Sequence, residues 1–284
     1  MTHTNANKPN LTLVLGGTGK TGRRVAERLT SRDVPIRIGS RSASIPFEWH
    51  DPTTWQPVLE NVTSVYIVYY PDLAVPGAAD KIQAFTEVAV KCGVTHLVLL
   101  AGRGEEEADR CERIVQNSGV NWTILRPTWF SQNFSEGFMR DLVLSGTIAL
   151  PITDILEPFI DVEDIADVAA AALTDPERHT GQIYELTGPR LMTFQDAVSE
   201  ISEAIGREVA FVPISIDAYK EALSNMGLPE DFVWLLGYLF TEVMDGRNSF
   251  VADGVQRALG RQPRDFSEYV KEAAANGFWA HEEV

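Results

Sequence analysis

Four glycines in seven residues, Gly16, Gly17, Gly19 and Gly22, separate an apolar run at 11–15 from a segment in which Val25, Ala26 and Leu29 recur at helical spacing. No other stretch constrains the fold as much. A strand that meets a helix through so short a link needs residues that tolerate a sharp reversal, and glycine is that residue. The spacing reads as Gly17-x-Gly19-x-x-Gly22 or as Gly16-x-x-Gly19-x-x-Gly22. In either register the backbone can approach a pyrophosphate, and a helix beginning near Gly19 directs unbonded N–H groups and its positive dipole end at the anion. The position after a strand and before a helix is the context a dinucleotide fingerprint requires. A kinase-type phosphate loop cannot be laid on these residues, because Lys20 precedes Gly22 instead of following it.

The rest of the chain narrows the class. A length of 284 residues allows one large core or two modest ones. The net charge of −16 argues against sequence-independent nucleic-acid binding, which needs a basic footprint. The first ten residues are polar, and no segment approaches the roughly 18 uninterrupted apolar residues of a membrane span, so the expectation is a cytoplasmic protein with no membrane association. Cys92 and Cys111 are too far apart for a CxxC motif and read as core or surface thiols. The histidines at 3, 50, 96, 179 and 281 show no ligand spacing, so no metal site is expected.

Along the chain, residues 34–39 read as a second strand, followed by Ser40 and Arg41. In a Rossmann arrangement this point lies beside the adenosine ribose, where an acid favours a free 2′-hydroxyl and an arginine accommodates a 2′-phosphate. Arg41 therefore points to NADP(H) over NAD(H), the alternative being a solvated loop charge. A short strand at 47–51, a helix at 53–60 and a buried strand at 64–68 follow, the last ending at Tyr69, Tyr70 and Pro71. These tyrosines either line the nicotinamide side of a cleft or pack in the core. A helix at 78–92, a strand at 96–100 that ends in Ala101 and Gly102, a helix at 105–118 and a strand at 122–125 continue an alternation that builds a parallel sheet.

Beyond Pro127 the alternation stops. Trp129, Phe130, Asn133, Phe134 and Phe138 form an aromatic-rich stretch, and 147–151 and 159–161 read as short strands. A helix beginning at Asp161 has Asp161 and Asp164 placed to cap its first turn. Residues 182–186 read as a strand, Thr193 caps a helix that runs to Ile205 and stops at Gly206, and 209–213 is a further strand. Residues 216–280 are mostly helical, and the apolar face at 232–240 is too wide for a surface helix, which suggests burial in a substrate-side lobe or at a subunit interface.

These residues resemble the NmrA-like, atypical short-chain dehydrogenase/reductases. The likeness runs through LVLGGTGKTGRRVAERL at 13–29, GVTHLVLL at 93–100, SGVNWTILRPTWFSQNFSE at 118–136, FIDVEDIADVAAAAL at 159–173 and YELTGPRLMTFQDAVSEIS at 184–202. The pairing of LRPTWFSQNFS with FEWHDPTTW at 47–55 looks most like the branch of fungal clavine (festuclavine and agroclavine) dehydrogenases, with quinone and triphenylmethane-dye reductases as similar relatives. The resemblance implies an α/β Rossmann doubly wound parallel sheet of about seven strands, with NADP(H) bound and a small, mostly helical C-terminal lobe. It implies a cofactor domain at 1–150, with 159–186 returning to it, and a substrate lobe at 187–284. On the same basis Gly16, Thr18, Gly19, Lys20, Thr21 and Gly22 match the phosphate turn, Arg41 the 2′-phosphate site and Asp51 an acid near adenine. Tyr69, Ala101, Pro127, Thr128, Trp129 and Phe130 match positions around the nicotinamide and its ribose.

One departure matters. Short-chain dehydrogenases pair a Tyr acid with a Lys four residues on. The helix at 105–118 carries Glu107, Asp109, Arg110, Glu112 and Arg113 but neither Tyr nor Lys. Two kinds of protein fit this. One is an NADPH-dependent reductase that passes hydride to an already electrophilic, planar acceptor, a quinone or iminium, with Tyr69, Trp129 and Phe130 as pocket walls. The other is an NADP(H)-binding redox sensor without turnover, which works through a protein partner or as a homodimer held by its C-terminal lobe. On either reading Arg41→Ala should weaken NADPH roughly ten- to a hundredfold and NADH far less, as measured by binding titration of both cofactors; equal losses would remove Arg41 from the 2′-phosphate site.

Overall fold

The computed structural model describes residues 10–280. The first half alternates as the sequence predicts: β1 (Leu11–Leu15), α1 (Lys20–Thr30), β2 (Ile36–Gly39), α2 (Trp55–Leu59), β3 (Val62–Ile67), α3 (Ala78–Lys91), β4 (His96–Leu100), α4 (Glu106–Gln116) and β5 (Asn121–Pro127). The second half holds α5 (Phe138–Ser145), β6 (Thr147–Leu150), α6 (Val162–Thr174), α7 (Pro176–His179), β7 (Gln182–Leu186), α8 (Phe194–Ile205) and β8 (Ala210–Pro213). Four more helices close the chain: α9 (Ile216–Asn225), α10 (Glu230–Tyr238), α11 (Gly254–Leu259) and α12 (Phe266–Ala275).

The main sheet has six strands in the order β2-β1-β3-β4-β5-β7, and β6 pairs with β8 in a separate parallel pair. Strands β2 to β5 run parallel. Their near-continuous burial is what a sheet covered on both faces demands, and Leu13, Leu15, Val65, Ile67, Leu97 and Leu99 are fully buried. The strand order reverses at β1, so a topological switch point falls at the carboxyl ends of β1 and β3.

Two compact units divide the chain. Among the described residues, the first comprises 10–102, 106–126 and 165–184, and the second 103–105, 127–164 and 185–280. The core of the first contains an aromatic cluster in which Trp49 lies 5.1 Å from Phe47, 6.2 Å from Trp55 and 5.2 Å from Phe85, ring centre to ring centre. The core of the second is built on Phe134, Phe159, Phe194 and Phe266, all buried. Helix α8 begins with a capping box in which Thr193 and Asp196 bond each other's backbone N–H, and it ends at the left-handed Gly206.

Two expected strands are absent as strands. Residues 47–51 alternate buried and open, with Phe47 and Trp49 in the core, which imitates the period of a strand. Their backbone groups are satisfied locally instead: Phe47 N–H donates to Ser40 O, Asp51 N–H to Glu48 O and Glu48 N–H to Thr54 Oγ1. With that segment irregular, the main sheet has six strands, where the resemblance implies about seven. At 159–161 only an isolated bridge, Phe130 to Ile160, is formed. Strand β2 starts after Pro35, because Val34 N–H still closes the end of α1 on Leu29 O.

The irregular segment is held by indole donors, Trp49 Nε1 to Val68 O at 3.1 Å and Trp55 Nε1 to Glu48 O at 2.9 Å. Trp49→Phe keeps most of the ring packing and deletes the donor, so urea unfolding should show a loss of about 1–3 kcal/mol. An unchanged midpoint would mean that the bond contributes nothing.

Candidate functional site

The glycine turn is shaped by close approaches. Gly16 has φ +61°, and its N–H donates to Gly39 O at 3.0 Å, which ties the turn to the end of β2. Gly16 O accepts from Gly19 N–H at 2.8 Å. A Cβ on Gly22 would meet Gly16 O at 2.2 Å, and one on Gly17 would meet Ile38 at 2.8 Å. Gly19 caps α1 with no side-chain hydrogen bond, and no acidic residue sits in the first turn. The leading N–H groups of a helix lack intrahelical partners. The N-cap of α1 is a glycine and its first turn carries no acid, so these residues fit a bound pyrophosphate at a helix N-terminus.

Of the other expected residues of the first unit, Arg41, Tyr69 and Ala101 follow β2, β3 and β4, while Asp51 lies in the irregular segment and Lys20 and Thr21 in α1. Arg41, two residues beyond β2, is largely exposed and lies 3.9 Å from Glu48. Asp51 is occupied locally, its Oδ1 accepting from Thr53 N–H at 3.0 Å and from the Thr53 hydroxyl at 2.6 Å. Tyr69 is buried, its ring 4.9 Å from Trp49, and burial raises its pKa, with Cys111 adding to the effect. Tyr70 is 70% exposed. Ala101 follows β4 and donates to Leu125 O. Lys20 and Thr21 belong to the first turn of α1, Thr21 buried, while Thr18 is exposed.

Cys111 is buried in the core and Cys92 is half-buried at the end of α3. His96 and His179 are buried, and His179 Nδ1 lies 2.8 Å from the Tyr184 hydroxyl. Burial lowers the pKa of His96 to about 4, with His179 adding to the effect. His50 is exposed, whereas His3, His281 and the reading of the polar N-terminus fall outside the described residues, apart from Asn10.

In the second unit, residues 128–134 are pinned by buried polar groups. Gln132 Nε2 donates to Asp161 at 2.6 Å, and its Oε1 accepts from Val162 N–H at 2.9 Å. Asp161 caps α6 through Glu163 N–H, as expected. Asp164, expected to share that role, instead accepts from Arg264 N–H at 2.7 Å and pairs with Arg261 at 2.6 Å. Trp129 is half-buried, 5.5 Å from Phe194 and 5.4 Å from Phe240, and its indole Nε1 has no hydrogen-bond partner among the described residues. Phe130 is also half-buried, and Phe134 is core.

Glu157 is the residue that sequence reasoning missed. It is 5% exposed, its Oε1 accepts from the Thr128 hydroxyl, and it also accepts from Trp129 N–H at 3.2 Å. Backbone bonds with Met192 fix its position. Burial raises its pKa to about 7, against the lowering effects of the Trp129 N–H and the Arg103 charge. Arg103 is buried, 3.4 Å from Glu185 and 4.3 Å above the Phe250 ring. The available signal was an acid inside the apolar run Ile155-Leu156-Glu157-Pro158-Phe159-Ile160.

Comparison with known proteins gives one consistent picture. Residues 108–270 match the model of the NmrA-like family, and residues 16–176 match an NAD(P)H-binding family model. The chain is 32% identical to prestalk A differentiation protein A of Dictyostelium discoideum, over 93% of this chain and 92% of that protein. It is 30% identical to agroclavine dehydrogenase of Claviceps fusiformis, over 92% and 96%. The fold superposes on an NADPH-dependent quinone oxidoreductase of Escherichia coli, solved with NADPH, with a TM-score of 0.76 at 19% identity, covering 92% of this chain and 99% of that one.

The raised pKa of Glu157 has a stability consequence. A carboxyl whose native pKa of about 7 exceeds its unfolded value stabilises the fold fully below the unfolded pKa, and the contribution is lost as pH rises through 7. Glu157→Gln, which cannot ionise, should therefore gain on the native protein between about pH 4.5 and 7 and hold that gain above, by at most about 3 kcal/mol. Urea unfolding across pH 4–8 measures the difference, and a difference that does not vary with pH would contradict the assignment.

Proposed function

The chain belongs to the NmrA-like family, and from that premise we propose that it is an NADPH-dependent reductase that transfers hydride to a small, electrophilic, planar acceptor of the quinone or iminium class. The observation that carries this reading is the close glycine turn at the N-terminus of α1, where a Cβ on Gly22 would meet Gly16 O at 2.2 Å and no acidic residue sits in the first turn. Gly16, Thr18, Gly19, Lys20, Thr21 and Gly22 hold the pyrophosphate in this reading, and Arg41, exposed at the end of β2, takes the 2′-phosphate. Asp51, Tyr69, Ala101, Pro127 and Thr128 complete the cofactor's surroundings. When bound, NADPH supplies the hydride.

The acceptor then needs orientation more than side-chain catalysis, in keeping with an α4 that has neither Tyr nor Lys. Trp129 and Phe130, both half-buried, supply flat apolar surface in this reading. The unpartnered indole N–H of Trp129 is a donor for a carbonyl oxygen or other acceptor atom, because a buried donor left without a partner is unfavourable. Tyr69 contributes less as a wall than as the packing partner of Trp49, since its ring is buried.

The second reading is a sensor that binds NADP(H) and recruits a protein. It is supported by the relative named as a differentiation protein and by exposed apolar side chains in the second unit, where Trp234 stacks on Tyr238 at 5.3 Å. Stopped-flow absorbance at the NADPH band separates the two. The reductase should oxidise NADPH with at least one member of a quinone and iminium panel, whereas silence across that panel, together with tight NADPH binding, would establish the sensor.

A further inference from the structure

A quinone and an iminium ion differ in what they need after hydride arrives. An iminium carbon becomes a neutral amine and needs nothing more. A quinone becomes a hydroquinone anion and needs a proton. The helix that carries the acid in short-chain dehydrogenases offers neither Tyr nor Lys in this chain, so that proton must come from elsewhere.

We propose that Glu157 and Thr128 form a proton relay that serves acceptors of the quinone class, with Glu157 as the reservoir and the Thr128 hydroxyl as the group that reaches the reduced acceptor. This rests on the reductase reading above. Thr128 directly follows β5, at the carboxyl edge where ligands of open α/β sheets bind, and its hydroxyl is bonded to the Glu157 carboxyl. The adjoining Trp129 N–H bonds the same oxygen, so the carboxyl is aimed at the segment proposed to hold the acceptor. The charge facing Glu157 is that of Arg103, which is paired with Glu185, and the Met192 side contributes only backbone groups. Burial keeps the carboxyl protonated up to near neutrality, which a proton donor requires.

The step balances. With Glu157 protonated, its O–H donates to Thr128 Oγ, and the Thr128 proton is turned toward the acceptor. Hydride addition reduces the quinone by two electrons and oxidises NADPH to NADP⁺. The Thr128 O–H then breaks as a new O–H forms on the anionic quinone oxygen, and the Glu157 O–H breaks to restore the Thr128 hydroxyl. Glu157 is left as a carboxylate, which water reprotonates before the next turnover.

Single-turnover rates with a substituted naphthoquinone and with a preformed dialkyl iminium salt test this in the NADPH-loaded protein. In Glu157→Gln and in Thr128→Val the ratio of naphthoquinone to iminium rate should fall by about a hundredfold, and Thr128→Ser should restore it. Independently of activity, carbon-13 NMR of glutamate-labelled protein should show one carboxyl, identified by its loss in Glu157→Gln, that titrates near neutral pH. Equal losses with both acceptors, or a Glu157 carboxyl that titrates in the ordinary acidic range, would overturn the relay. A wild-type protein that leaves NADPH intact with both acceptors would instead remove the reductase reading on which it rests.

Discussion

The carbonyl oxygen of Gly16 is the point on which the nucleotide-binding half is built. It accepts from the N–H of Gly19 and lies where a side chain on Gly22 would have to go. The first turn of α1 is thereby held close against the backbone of Gly16 and Gly17. The N-cap is Gly19, which has no side chain to cap the helix, and the first turn carries no acid, so the positive end of the helix is not offset there by a carboxylate. The same carbonyl-to-amide spacing brings the end of β2, through Gly39, alongside the turn.

The second unit solves a different problem, which is to hold an aromatic segment rigid without regular secondary structure. It does so with buried polar side chains, Gln132, Asp161 and Asp164, that bond side chains as well as backbone. Gln132 uses both ends of its amide, one on Asp161 and one on Val162 N–H, and Asp164 ties in the segment at 261–264. A buried polar network that is fully bonded specifies one arrangement, since every alternative leaves a donor or acceptor bare. Glu157 belongs to this pattern, and the groups that donate to its Oε1, the Thr128 hydroxyl and the Trp129 N–H, are neutral. Burial, which outweighs the Trp129 N–H and the Arg103 charge, holds its proton near neutrality.

Periodicity made most of the fold legible. The apolar runs at 11–15, 96–100 and 182–186 match β1, β4 and β7, and Thr193 and Gly206 bracket α8 as their chemistry dictates. Residues 47–51 misled because burial of alternate side chains is necessary for a strand but does not make one; a ladder must also take up the backbone groups, and these are spent on Ser40, Glu48 and Thr54. The glycine turn was visible because its shape lies in backbone spacing, which glycine records directly. Glu157 was not, because its character comes from Thr128, Trp129 and Met192, partners 28 to 35 positions away that only the fold assembles. Tyr69 shows the same limit: its position at the end of β3 was readable, but its burial against Trp49 was not.

The chain crosses between its two units repeatedly, and this orders its assembly. Residues 165–184, which carry most of α6, all of α7 and the first part of β7, belong to the first unit, yet they are synthesised after 127–164 of the second. The six-stranded sheet therefore lacks its β7 edge until about residue 186 has emerged, and β5 waits with one side open. The small β6–β8 pair likewise joins segments some sixty residues apart. Such non-local pairing slows folding and leaves strand edges exposed in the interim. No single cut releases either unit whole, so a fragment ending after β5 would keep the glycine turn but present an unpaired strand to its neighbours.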